Sequence, residues 1–175
     1  LHRGLNGSPM KAGILSDSHN QRAALEGAWA LFRGEGVGIV LHLGDVCAPE
    51  MLDGWRTTGV PLVGVFGNND YDRDGLQGAS GGAFHDGPLV HEVRGRKILM
   101  AHTFRELQPE LGERGRFDLV LFGHTHRPLT MRVGKALVLN PGESCGLMRG
   151  KATCAIVDLE TMEGRIVEIP DGSRG

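Results

Sequence analysis

The chain has 175 residues, with 19 Lys and Arg against 21 Asp and Glu and a formal net charge of −2. This balance gives no bulk attraction for nucleic acid, and no apolar run approaches the roughly 20 residues of a membrane-spanning helix. The length allows one domain to bury a core without disulfides or a structural metal. The three cysteines form no Cys-x-x-Cys pair and leave one over, so we expect a reduced, cytoplasmic protein.

Glycine is unusually frequent at 28 residues. The glycines lie mainly at the ends of apolar segments, which indicates tight turns rather than collagen or disorder. Residues 1–9 are polar and aperiodic, and we interpret them as a disordered leader or expression scar. Residues 10–175 are predicted to form a single domain.

The first half of the chain alternates strand and helix patterns. The predicted elements are strand, helix, strand, helix and strand, over Lys11–Ser16, Asn20–Gly34, Gly38–Leu43, Pro49–Trp55 and Val60–Phe66. Asn20 is expected to cap the first helix. This order favours parallel strands joined by right-handed crossovers, and such sheets bind ligands at the carboxyl ends of their strands.

The second half is richer in hairpin patterns. Asp74–Gly87 is Gly-rich and is expected to be an irregular surface loop, and a polar helix is predicted over Arg105–Arg114, with Pro109 near its start or a break. The remaining strands are predicted over Leu89–Val93, Lys97–Ala101, Asp118–Phe122, Leu129–Val133, Lys135–Leu139, Thr153–Asp158 and Arg165–Ile169. Nine or ten strands with this many hairpins do not fit one parallel sheet. We therefore predict a mixed α/β fold in which two packed mixed β-sheets are flanked by helices, an αββα sandwich.

Potential metal ligands follow five of the predicted apolar strands. There are seven of them, namely Asp17, His19, Asp45, Asn68, His102, His124 and His126. Imidazoles, carboxylates and one amide, with no thiolate, suit a pair of divalent transition ions better than a lone structural zinc. The pattern predicts an enzyme site.

The order of these clusters resembles the motifs of the calcineurin-like metallophosphoesterase superfamily. The matching segments are Asp17-Ser18-His19, Gly44-Asp45, Gly67-Asn68-Asn69-Asp70, His102 and Gly123-His124-Thr125-His126. The later Asn140-Pro141-Gly142 is similar to a motif of the small bacterial and archaeal phosphodiesterase branch. The resemblance extends from about Met10 to Ile169 and implies a two-sheet sandwich flanked by helices.

The resemblance also implies a binuclear metal centre. One divalent ion would be held by Asp17, His19, Asp45 and His126, and a second by Asn68, His102 and His124 together with Asp45 as the bridge. The ions are expected to be Mn²⁺, although Fe, Zn²⁺ and Ni²⁺ suit the same ligands. A hydroxide held between the ions would attack a small phosphoester in line. The residues assigned to catalysis are Asp45, Asn68, His102 and His124.

Several positions depart from the common family pattern or lie beside it. Many relatives have His at the place of Asn69, where it assists the transition state or protonates the leaving group, so this chain should favour diesters and good leaving groups. Asp70 is expected to orient Asn68 or its loop. Arg127 is either a phosphate contact or a solvated turn residue. Glu143 stands where Ser is common, and close to the phosphate it would further favour a diester.

The sequence therefore predicts a metal-dependent phosphodiesterase. A phosphomonoesterase acting on a nucleotide or phosphoprotein is the alternative enzyme. A non-catalytic scaffold is the alternative from another class, because a trafficking-coat subunit resembles the same branch with a degraded metal site. Retention of all seven ligands favours catalysis. The sequence does not identify the substrate, and it leaves a homo-oligomer open.

Overall fold

The computed structural model describes residues 10–112 and 115–170, so the expectation for residues 1–9 lies outside the described residues. The described residues contain eleven strands: β1 Lys11–Leu15, β2 Val37–His42, β3 Leu62–Val65, β4 Phe84–His85, β5 Leu89–Val93, β6 Arg96–Met100, β7 Leu119–Leu121, β8 Leu129–Val133, β9 Ala136–Asn140, β10 Thr153–Asp158 and β11 Glu163–Glu168. Their four α-helices are α1 Arg22–Gly34, α2 Asp53–Arg56, α3 Arg73–Ser80 and α4 Phe104–Leu107. Within these ranges no helix is long and apolar enough to cross a membrane.

The strands form two mixed sheets, as the sequence predicts. The first sheet has the order β11-β10-β1-β2-β3-β4, and the second has the order β5-β6-β7-β9-β8. Strands β1 to β4 run parallel to one another, as do β6, β7 and β9 in the second sheet. Strands β10 and β11 in the first sheet, and β5 and β8 in the second, pair antiparallel with their neighbours. The carboxyl ends of these parallel strands carry the clusters that follow them in the sequence.

Apolar side chains form the layers of an αββα sandwich. The core between the sheets includes Ile14, Leu41, Met100, Leu121 and Leu139, and burial of each such side chain contributes about 1.5–3 kcal/mol. Helix α1 covers the outer face of the first sheet with a stripe at helical spacing, Leu25, Ala28, Trp29 and Phe32. Leu107 of α4 packs on the outer face of the second sheet. The predicted fold class is confirmed.

The predicted loop over Asp74–Gly87 is wrong in part, because it contains most of α3 and all of β4. The Asp72 carboxylate caps α3 by accepting a hydrogen bond from Gly75 N at 2.9 Å. Gly81 ends the helix in the left-handed conformation, with φ of 65°. Two internal glycines lower helix propensity by about 1 kcal/mol each, and burial of Leu76 offsets that cost.

Two other local predictions also differ from the structure. The helix predicted over Arg105–Arg114 is α-helical only to Leu107 and continues as a 3-10 turn over Gln108–Glu110, which contains Pro109. The last two residues of that prediction, 113–114, lie outside the described residues. Asn20 does not cap α1, since its own φ is 60° and the N-cap is Gln21, which makes no side-chain capping bond.

Loops from the two sheets meet at one edge of the sandwich. Ser144 N donates to Ser16 O at 2.8 Å, and Cys145 N donates to Asp17 O at 3.2 Å, which ties a loop after β9 to the loop after β1. Gly123 N donates to His102 O at 2.9 Å and joins the loops after β7 and β6. All the candidate ligands are therefore delivered to one place.

Candidate metal centre

Three candidate ligands converge on the Asp17 side of this edge. His126 Nε2 lies 3.4 Å from Asp17 Oδ1, and His19 Nε2 lies 3.7 Å from the same oxygen. Asp17 and His126 are buried, and His19 is half-buried. We call Asp17, His19 and His126 the inner group. Its donor atoms all lie within 4.8 Å of one another, which is close enough to share one ion.

Three further candidates converge beside the inner group. His102 Nε2 lies 3.0 Å from Asn68 Oδ1 and 3.2 Å from His124 Nδ1. His102 is buried, whereas Asn68 and His124 are exposed. We call Asn68, His102 and His124 the outer group. It forms the solvent-facing side of the site.

Asp45 lies between the two groups. Its Oδ2 is 3.6 Å from His19 Nε2 and 3.5 Å from His102 Nε2. A second set of donor atoms within 4.8 Å of one another joins Asp17, Asp45 and His102. A single carboxylate oxygen thus faces one imidazole of each group, a placement that is compatible with a bridging ligand.

The inner group has buried polar atoms that nothing in the described residues satisfies. Asp17 Oδ1 and His19 Nε2 have no hydrogen-bond partner there, and a buried unpaired polar atom costs about 1–3 kcal/mol. Burial by itself raises the pKa of Asp17, but the His19 imidazole and the Ser16 hydroxyl hold that pKa below its usual value. A carboxylate and an imidazole nitrogen without partners fit a divalent cation.

The outer group fits a cation for a related reason. His102 Nδ1 donates to the Leu43 carbonyl at 2.7 Å, so the neutral imidazole presents an electron pair at Nε2. Asn68 Oδ1, which is also an acceptor, lies 3.0 Å from that nitrogen. Two electron pairs that converge at this distance can both be satisfied by a metal ion.

Neighbouring groups contact Nδ1 of three of the four imidazoles and orient the rings. The Nδ1 atoms of His102, His126 and His19 face Leu43 O at 2.7 Å, Glu143 Oε2 at 2.6 Å and Cys47 Sγ at 3.6 Å. These contacts leave each Nε2 directed at Asp17 or Asp45. Metal-binding histidines in proteins are held in this way by a partner on the other ring nitrogen.

The loops that carry the ligands have strained backbones. Among the described residues nine non-glycine residues have positive φ, and seven of them lie at this edge: Asp17, His19, Asn20, Asp45, Cys47, His124 and His126. Each such conformation costs about 1–3 kcal/mol and persists only when its surroundings impose it, as at functional sites. Gly67 allows the close packing, since a Cβ there would collide with Asp45.

Asp70 and Asn69 both contact the Gly44–Cys47 loop. Asp70 Oδ2 accepts from Gly67 N at 2.7 Å and from Asp45 N at 2.8 Å, and its Oδ1 accepts from Cys47 N at 2.8 Å. Asn69 donates to Asp45 twice, from its backbone N to Oδ1 and from Nδ2 to Oδ2, each at 2.8 Å. Asp70 therefore fixes the loop, and Asn69 fixes the Asp45 carboxylate.

The structure does not bring Arg127 into the cluster. Arg127 is exposed, and its hydrogen bond within the described residues is from backbone N to Thr125 Oγ1 at 3.4 Å. Glu143 is buried and contacts His126, Met148 N and Arg149 N. The expectation that Glu143 adds charge beside the phosphate has no contact to support it.

Sequence reasoning missed the pairing of His126 with Glu143. The available signal was a carboxylate directly after Asn140-Pro141-Gly142. His42, by contrast, is a supporting residue: Gly44 N donates to its Nδ1 at 3.1 Å, and its Nε2 lies 3.3 Å from Ser18 Oγ. Burial lowers the pKa of His42 to about 4, so the ring is neutral at pH 7.

A two-sheet sandwich with carboxylate, amide and imidazole donors on its carboxyl-end loops is the architecture that the sequence motifs imply. The chain matches the calcineurin-like phosphoesterase superfamily domain over residues 10–162. It belongs to that superfamily, and it carries residue groups that can hold metal ions.

Individual relatives agree with this assignment. The chain is 30% identical over 161 residues to phosphodiesterase MJ0936 of Methanocaldococcus jannaschii, covering 89% of this chain and 97% of that protein. A solved archaeal phosphodiesterase matches with a TM-score of 0.83 and 29% identity, covering 91% of this chain and 99% of that one. Vacuolar protein sorting 29 of Cryptosporidium parvum shares the fold, with a TM-score of 0.67, 16% identity and coverage of 93% and 97%.

Proposed function

We propose that this chain is a phosphodiesterase that uses two divalent metal ions to hydrolyse a small phosphodiester. The observation that carries the proposal is the position of Asp45, whose Oδ2 lies 3.6 Å from an imidazole of the inner group and 3.5 Å from one of the outer group. The inner group would hold one ion, the outer group the other, and Asp45 both. When bound, the ions would neutralise phosphoryl charge and lower the pKa of a water molecule, supplying hydroxide for in-line attack.

The residues around the cluster have two roles in this proposal. Some hold Asp45 and its loop in place, and others face the solvent, where substrate would bind. Asp70 and Asn69 fix the loop and the carboxylate of Asp45 through the hydrogen bonds described above. Asn68 and His124 are exposed and face the solvent side of the cluster, where a phosphoryl group would approach. We assign them the additional role of binding the phosphoryl oxygens.

Manganese and a cytoplasmic location are the finer parts of the proposal. Oxygen and imidazole ligands with no thiolate suit Mn²⁺ among the ions that the set accepts.

The state of the cysteines supports the cytoplasmic location. Burial raises the pKa of Cys47 to about 12 and that of Cys145 to about 11, which keeps both thiols protonated. All three cysteines are free, as is common in a reducing compartment.

Two observations support a diester rather than a monoester. The relative that is 30% identical is named a phosphodiesterase. In addition, Asn69 directs its amide at Asp45, and an amide cannot protonate a leaving alkoxide. Such protonation by a general acid typically increases the rate by 10²–10⁴-fold. Substrates with good leaving groups are therefore favoured. The scaffold alternative has support only from a shared fold.

A substrate panel tests this function. Protein stripped of metal and reloaded with Mn²⁺ is assayed on an aryl phosphodiester and on the matching monoester. We expect metal-dependent turnover that is faster for the diester than for the monoester. In Asn69→His the ratio of the diester rate to the monoester rate should be smaller. His85→Ala, which removes an exposed histidine on β4, is the control and should keep the wild-type ratio.

Each possible result bears on a different part of the proposal. A wild-type preference for the monoester would replace the phosphodiesterase with the phosphomonoesterase alternative. An unchanged ratio in Asn69→His would remove Asn69 from the choice of substrate. No turnover of either ester with Mn²⁺, Fe, Zn²⁺ or Ni²⁺ would favour the scaffold.

A further inference from the structure

Glu143 is a buried carboxylate with both of its oxygens engaged. Its Oε2 accepts from His126 Nδ1 at 2.6 Å, while its Oε1 accepts from Met148 N at 2.9 Å and from Arg149 N at 2.6 Å. The residue is only 1% exposed. The Cys145 thiol also donates to Oε2, at 3.7 Å. Four donors therefore hold the carboxylate in place, and it in turn fixes the plane of the His126 ring.

This support distinguishes His126 from the other oriented imidazoles. The corresponding nitrogen of His102 donates to a neutral backbone carbonyl, Leu43 O, and that of His19 faces the Cys47 thiol. A carboxylate partner withdraws the Nδ1 proton more strongly than a carbonyl does and makes Nε2 a better electron-pair donor. Of these three, only His126 has such a partner.

We propose that Glu143 is a positioning residue that makes the inner group the tighter of the two metal positions. The proposal rests on the proposed function, because it requires that His126 holds an ion. In this role the carboxylate–imidazole pair orders metal loading, inner position first.

The test has a readout that needs neither metal nor turnover. In metal-free wild type, nitrogen NMR of His126 should show the tautomer protonated at Nδ1, with the proton shifted downfield by the short bond to Glu143. Glu143→Ser should lose that signal and populate the other tautomer. Glu143→Gln keeps an acceptor oxygen and should retain part of it.

Calorimetric titration with Mn²⁺ measures the consequence. Glu143→Ser should weaken the tighter binding step by about 10–100-fold, the usual effect of losing such a partner, and should leave the weaker step within about twofold. Glu143→Gln should fall between wild type and Ser. The control is Glu106→Gln. The Glu106 carboxylate accepts hydrogen bonds from Thr103 N and Oγ1 at 2.7 and 2.8 Å and has no hydrogen bond to an imidazole among the described residues. Both binding steps of this variant should match wild type.

Three results would overturn the role of Glu143. The first is a wild-type His126 that is protonated at Nε2. The second is a Glu143→Ser variant whose two Mn²⁺-binding steps both keep the wild-type affinity. The third is an equal loss of affinity in both steps of that variant, as general loosening of the loop would cause. The first needs no variant, so it decides the matter even where a substitution prevents folding. Wild type that binds no divalent ion would overturn the proposed function together with this role.

Discussion

The inner and outer groups offer similar donor atoms in different surroundings. Asp17 and His126 of the inner group are buried, two of the group's polar atoms lack partners, and all three residues have positive φ. In the outer group Asn68 and His124 are exposed, and His124 alone has positive φ. Folding therefore fixes the inner group more completely, and the outer group faces the solvent from which substrate arrives. From this difference we expect the inner group to hold metal more firmly and the outer group to combine metal binding with substrate contact.

Removal of the residue between the groups should have the largest effect. We expect Asp45→Asn to lower turnover by more than the roughly 10–100-fold typical of changes beside a metal ligand, and to reduce the metal content from two ions per chain. Elemental analysis after Mn²⁺ loading measures the stoichiometry. Asp53→Asn makes the same change at an exposed position of α2 and should bind metal like wild type. Two ions bound to Asp45→Asn would contradict the bridge.

The two groups can be separated with one substitution in each. His126→Ala and His124→Ala should each abolish most turnover and leave secondary structure intact, because both residues lie in the loop after β7. Their metal responses should differ. His124→Ala should retain much of the Mn²⁺-induced rise in melting temperature, which corresponds to about 2.7 kcal/mol at a free concentration of 100 Kd. His126→Ala should lose most of it, and equal responses in the two variants would show that the groups are equivalent.

A smaller effect is expected at Asp70, which supports the loop rather than either group. Asp70→Asn replaces one of the two acceptor oxygens with an NH₂ group, so at least one of the three backbone N–H donors loses its partner. The loss of a buried acceptor costs about 1–3 kcal/mol. The melting temperature of the metal-free protein should fall, with turnover reduced less than in Asp45→Asn. Asp86→Asn removes a carboxylate from an exposed ion pair with Arg73. Loss of such a pair is expected to lower the free energy of unfolding by about 0–1 kcal/mol. Equal melting temperatures for the two variants would contradict the proposed support.

Much of the fold was predictable because short apolar strands end in polar, Gly-rich clusters. The predicted strand over Lys11–Ser16 and the hairpin around Gly134 both match the structure to within a residue or so. Helix α3 was missed because its glycines lower the helix propensity of the segment. The helix forms because Asp72 caps it and Leu76 is buried in the core. Local sequence carries little information on that kind of tertiary support.

The candidate site was predictable in composition but not in its internal bonding. The order of the clusters predicted seven candidate donors, and the parallel strands bring these residues to one edge. The pairing of His126 with Glu143 spans 17 residues, and the approach of the Asn69 amide to Asp45 spans 24. Both contacts depend on how two loops dock, which no local pattern encodes.

Asp45 is proposed to join two metal positions in one site, and electron paramagnetic resonance of a Mn²⁺ titration tests this role most directly. Between one and two equivalents the six-line signal of isolated Mn²⁺ should give way to the spectrum of an exchange-coupled pair, because a shared carboxylate oxygen couples the two ions. In Asp45→Asn the coupled spectrum should not form. An isolated Mn²⁺ signal that simply doubles at two equivalents in wild type, or that saturates at one, would contradict the account.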